Sequence, residues 1–110
     1  MKRMSALSLR QPNAEQVMRG KKKIEYRSMF TKKRERVYIY ASKKPHTERS
    51  WKDIGMKPGD LPIGVLVGTV EIVGCEYKHG EYYWHLAKPK RLKPMIKPKN
   101  QPQPAWFYPF

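Results

Sequence analysis

The segment Gly20-Lys21-Lys22-Lys23-Ile24-Glu25-Tyr26-Arg27 sets a glycine, a lysine, a carboxylate and an arginine within eight residues. It follows a short predicted helix and opens a predicted strand. Upstream, residues 5–10 read as a first strand, broken at Gln11-Pro12 because proline donates no ladder hydrogen bond. Asn13 is then the expected helix N-cap, with Gln16 three residues on to reach back. Ala14, Val17 and Met18 share one helical face, and Gly20 suits the left-handed residue that ends such a helix. A two-turn helix over 13–19 follows, stable only if it packs.

Downstream, 23–28 reads as strand two, 29–36 as a basic turn and 37–41 as strand three. Val37, Ile39 and Ala41 lie on one of its faces, and Tyr38, Tyr40 and Ser42 on the other. A long connection over 43–62 holds one helical turn around 48–53 and closes at the Pro58-Gly59 turn. The run 63–74 is apolar on both faces, which predicts a central strand, and Gly68 within it predicts a bulge or bend. His79-Gly80 marks a hairpin, with a return strand over 82–87.

Beyond residue 88 prolines stand at 89, 94, 98, 102, 104 and 109, a composition that favours extended backbone. Ala105-Trp106-Phe107-Tyr108 is too apolar for water, so these aromatics are expected to dock and close a barrel. The whole predicts an α+β fold, a small β-barrel of five to six strands with one or two short helices. A length of 110 residues fits one domain over 1–110, with segment 88–110 docked on it.

The chain carries 24 Lys plus Arg against 9 Asp plus Glu, a formal net charge of +15. Such self-repulsion is relieved by an anionic partner, nucleic acid first and an acidic membrane surface second; solubilising or thermophile-type charge is the bland alternative. Cys75 is the one cysteine, so no internal disulfide forms, which agrees with a reducing cytosol. The N-terminus lacks a signal-peptide pattern, and the apolar run 63–70 is too short to span a bilayer. A cytoplasmic monomer with no cofactor is the expectation. His46, His79, His85 and Cys75 have no metal-ligand spacing, and there is no P-loop.

Several pieces together resemble the ASCH domain, the activating-signal-cointegrator homology module of the PUA-like superfamily. They are Leu7-Ser8-Leu9-Arg10-Gln11-Pro12 running into a short helix, then Gly20-x-Lys22-x-x-Glu25-x-Arg27. The Pro58-Gly59 turn, the 64–73 strand and Tyr83-Trp84-His85-Leu86 follow. The resemblance covers nearly the whole chain and implies a PUA-like barrel whose cleft is lined by the glycine-lysine-glutamate-arginine signature. It also implies a role with RNA or nucleotides. Some members resemble amidohydrolases acting on acylated cytidine, and others are ribonucleases. The amidohydrolases use a lysine, a threonine nucleophile and a glutamate. Lys22 matches that lysine, Glu25 stands where the threonine would be, and the glutamate has no counterpart here.

Among single residues, Lys22 is either a phosphate clamp or a solvated lysine. Glu25 either accepts hydrogen bonds from a base amino group or forms a structural ion pair, and Arg27 offers a rigid fork to a phosphate or to the same pair. Strict alternation puts Lys22 on the opposite strand face from Glu25 and Arg27, so convergence requires Lys22 to precede the strand or a bulge to intervene. Arg10 and Gln11, at the strand-to-helix corner, are candidates for an anion and a base edge.

Tyr26, Tyr38, Tyr40, Tyr83, Trp84 and Trp106 are candidates for stacking, worth about 1–3 kcal/mol per base, or for the core. Trp51 is a base platform if exposed. Glu71 either faces the cleft toward Lys22 or emerges at its strand end. Three functions compete. One is RNA or nucleotide binding through Arg10, Gln11, Lys22, Glu25, Arg27, Trp51 and Trp84, with phosphate contacts from Arg91 and Lys88, Lys90, Lys93, Lys97 and Lys99. The second is a hydrolase with Lys22 as general base and Glu25 or Tyr26 assisting. The third is a protein-interaction module using the proline-rich tail.

Overall fold

The apolar run around Gly68 becomes β4 (Val65–Lys78), and its return strand is β5 (Glu81–Ile96). In the computed structural model, which describes residues 3–103 and 105–110, these two strands form the spine of a six-stranded sheet. The others are β1 (Ala6–Leu9), β2 (Ile24–Arg27), β3 (Arg36–Ala41) and β6 (Trp106–Phe107). Two short helices are α1 (Asn13–Met18) and α2 (Glu48–Lys52). The sheet order is β2-β5-β4-β3-β1-β6, with β1 and β3 parallel and the other pairs antiparallel. The fold is α+β, a curled half-barrel. The curl brings β2, at one edge, back to β1: Arg27 Nη2 donates to the Ser8 carbonyl at 3.0 Å.

The hairpin turn is at His79 and Gly80, both left-handed at φ 50° and 83°, the geometry that matches strand twist. β5 runs well past residue 87, the end expected from the prolines that follow. Its ladder partners of β4 in that stretch are Ala87, Lys90, Arg91 and Ile96, with register shifts between them. Pro89 and Pro94 fall within those shifts, where a bulged strand has no ladder bond to donate.

Gly68 stands where three elements close up. A Cβ there would meet Met18 Sδ of α1 and the Lys90 carbonyl at 2.5 Å. Six residues of helix are marginal alone, so α1 persists by packing. Ala14, Val17 and Met18 bury against Leu7, Leu9, Ile39, Val70 and Trp84 in the main core. Asn13 is not the N-cap. Pro12 occupies that position, and Gln11 Oε1 accepts from the Glu15 N–H instead. Gln16 Oε1, expected to reach back, is buried without a hydrogen-bond partner among the described residues.

On the other face Tyr40, Leu66 and Phe107 form a second cluster, with Phe107 edge-on to Tyr40 at 5.3 Å. β6 pairs with β1, and Trp106 stacks on Trp84 at 5.6 Å. Among the described residues no helix is long and apolar enough to cross a membrane.

Candidate nucleic-acid interface

β2 starts at Ile24, which leaves Lys22 in the loop before it. That removes the alternation problem. Lys22 Nζ approaches Glu25 Oε1 at 3.4 Å, and Arg27 Nε donates to Glu25 Oε2 at 2.7 Å. Glu25 is 8% exposed, so its charge is satisfied by two cations rather than by water. Lys22 Nζ also donates to the Ile24 carbonyl at 2.7 Å and lies 5.2 Å from the Tyr26 ring centroid.

A cavity of about 420 Å³ opens beside this cluster, within the roughly 300–1,000 Å³ of small-ligand sites. Glu25 and Arg27 line it, with Arg10, Asn13, Lys44 and His46. Three cations (Arg10, Arg27, Lys44) against one carboxylate leave a surplus of positive charge. Lys22 does not line it. It supports Glu25 from behind and borders a separate depression with Val17, Lys88 and Pro89.

Asn13, Ser42, Lys44 and His46 were not read as site residues, and the parallel pairing explains their arrival. Leu9 lies beside Ala41, so the residues that follow β1 and β3 emerge side by side. Ser42 N donates to the Leu9 carbonyl and His46 N to the Gln11 carbonyl, both at 2.8 Å. Asn13 Nδ2 and His46 Nε2 are 3.1 Å apart, which fits a neutral imidazole protonated at Nδ1. Burial and then the Arg10 charge hold His46 below its ordinary value, against the opposing pull of Glu25.

Three expected contact residues are instead structural. Gln11 is buried, its Nε2 donating to the Pro62 carbonyl at 3.0 Å, so its amide is spent on the chain. Trp51 is fully buried and its Nε1 donates to the His46 carbonyl at 3.1 Å, fixing the loop behind the cavity. Trp84 is also fully buried, between Trp106 and Arg27, with Nε1 on the Met29 carbonyl. Large rings in a small core are worth more buried than exposed. Tyr26 is exposed on the opposite face of β2 from Glu25, edge-on to Tyr83 at 4.8 Å.

Glu71 does not reach Lys22. It pairs with Arg36 at 3.5 Å and Lys88 at 3.9 Å. Arg91 is committed to Glu15, forming two bonds of 2.9 and 2.7 Å. Arg19 adds a third at 2.7 Å. The Arg91 hydrogen bond leads the effects that lower the Glu15 pKa.

The family model of the ASCH domain matches residues 7–106. Activating signal cointegrator 1 of human is 36% identical over 81 residues, and that of mouse 35%. Each match covers 63% of this chain but only 14% of the relative, so the chain spans a small part of the curated relatives it matches. The crystal structure of ASCH from Zymomonas mobilis superposes with a TM-score of 0.67 at 12% identity, covering 96% of this chain and 87% of that one. A tyrosine-to-phenylalanine mutant of that Zymomonas protein gives 0.66 at 12% identity, covering 97% and 90%. At that identity the likeness concerns the fold.

Proposed function

Because this chain belongs to the ASCH domain family, we propose that it binds RNA by holding one nucleotide in the cavity beside Glu25. The observation that carries the reading is the cavity's charge: three cations face it, while its one carboxylate is already held by Lys22 and Arg27. A second anion, a phosphate, is the natural complement. Arg27, whose Nε and Nη2 are engaged by Glu25 and the Ser8 carbonyl, adds a fixed positive charge to the cavity wall. Arg10 and Lys44 are both exposed and add sequence-independent attraction. Asn13 and Ser42 supply neutral hydrogen-bonding groups at the same wall, suited to a base edge or a ribose hydroxyl. Glu25 retains acceptor capacity beyond its two cations and so can take a base amino group.

Fluorescence anisotropy with labelled single-stranded RNA at low salt tests the reading. Arg10→Ala with Lys44→Ala removes two cations that no carboxylate pairs with among the described residues. Affinity is expected to fall about tenfold, and the slope of log K against log salt to shrink by about 1.4. Unchanged affinity and slope in a folded double variant would refute it.

A further inference from the structure

The cavity beside Glu25 does not end at its own walls. Ser8 and Ser42 line it and also line a second cavity of about 280 Å³ that continues past Lys43 to Gln101 and Gln103. That one shares Lys43, Gln101 and Pro102 with a third, about 370 Å³, which adds Lys97 and Lys99. The three form one run of concavities along the outer side of β3 and the segment after β5. Among the described residues the second and third are lined by Lys43, Lys97 and Lys99 and by no carboxylate. All three lysines are exposed.

The groove has a fixed floor. Lys99 N and Asn100 N both donate to the Pro109 carbonyl, at 2.8 and 3.0 Å. Ser8 Oγ donates to the Gln103 carbonyl at 3.0 Å. Asn100 Nδ2 holds the Tyr108 carbonyl at 2.8 Å. The Lys43 stem is laid along Gly64: a Cβ on that glycine would sit 3.2 Å from Lys43 Cε, and its φ of +73° disfavours a side chain in any case. Gly64 therefore leaves room for the Lys43 stem to lie flat, and Lys43 lines the third cavity together with Lys97 and Lys99.

Resting on the RNA reading above, we infer that the groove is the path of the same strand beyond the bound nucleotide, with Lys43, Lys97 and Lys99 neutralising successive phosphates. Gln101 and Gln103, both exposed, offer amides along the way. A row of concave pockets accepts a flexible single strand residue by residue. A duplex would bridge over them, because its grooves and backbone keep a rigid geometry.

The test compares wild type with the triple charge reversal Lys43→Glu, Lys97→Glu and Lys99→Glu. A control reverses three exposed lysines away from the groove: Lys52→Glu, Lys57→Glu and Lys78→Glu. It carries the same net charge. Thermal melts confirm that each folds. The probes are a mononucleotide, a single-stranded RNA of about 12 residues (small barrels cover roughly 4–16) and a duplex of equal length. The groove variant is expected to bind the 12-mer at least about tenfold more weakly than the control. Its salt slope should be shallower than that of wild type by about 2, at roughly 0.7 for each lost phosphate contact. Mononucleotide binding should match the control's, and the duplex should bind more weakly than the single strand.

Equal losses in the groove variant and control overturn the track while leaving the cavity reading intact. Duplex binding as tight as single-strand binding also overturns it. If wild type binds neither mononucleotide nor 12-mer at low salt, the cavity reading fails and the track falls with it.

Discussion

Glu15 and Glu25 flank the same glycine turn, and each is buried between two cations, yet the two clusters are built differently. Glu15 receives three strong hydrogen bonds, two from Arg91 and one from Arg19. The Arg91 pair joins α1 to the far half of β5. Glu25 receives Arg27 closely and Lys22 more loosely, and it faces a cavity with further cations on its other walls. Charge composition does not separate a fastening from the proposed binding site. What separates them is whether cations remain once the carboxylate is satisfied.

The sharpest way to break this contrast is Glu15→Ala. It strands two arginines that are about one-third exposed (34% and 35%), so hydration offsets part of the loss. Stability is expected to fall by about 2–3 kcal/mol in urea titration, with RNA affinity unchanged below the melting temperature. Lost affinity at full stability would reverse the two roles.

Arg27→Ala should lower both readouts. RNA affinity should drop about tenfold, or ~1.4 kcal/mol, and stability should fall by about 2–3 kcal/mol, because the buried Glu25 keeps only the looser Lys22 and the Ser8 carbonyl loses its donor. An affinity equal to wild type would leave the Glu25 cluster with a structural role alone.

The smallest effect concerns acid. Arg91 holds Glu15 below its ordinary 4.5, so the unfolded chain binds the proton more readily. The stabilisation is therefore present above pH 4.5 and lost as pH falls through the lower folded value. In Glu15→Gln the acid limb of the stability profile should flatten; an unchanged limb would place the acid sensitivity elsewhere.

Much of the fold was legible from local pattern. The two-faced apolar run fixed β4 at the centre, Gly68 marked the close approach of α1 and β5, and His79-Gly80 located the hairpin. The start of β2 at Ile24 lets Lys22 and Arg27 both reach Glu25, but Lys22 stays outside the cavity that Glu25 and Arg27 line. The reach of β5 was not legible, because prolines exclude a strand only where an N–H must be donated, and bulges are set by tertiary packing. Trp84 read as platform or core, since aromatic periodicity in a two-faced sheet names no outside, and Trp51, in α2, read as a platform only if exposed, which its basic neighbours could not decide. Asn13 resembled a cap, but its amide meets His46, 33 residues away. Ser42, Lys44 and His46 could be found only by knowing that β3 runs parallel to β1.

The Glu15–Arg91 bond spans 76 positions of the chain. During synthesis the six-residue helix emerges long before the arginine that fastens it, and such a short helix does not hold itself. β1 likewise waits for Trp106 and Phe107 before its outer edge is paired. A nascent fragment that stops before residue 91 thus exposes an unclasped helix and an open strand edge, the features that chaperones and aggregation both exploit.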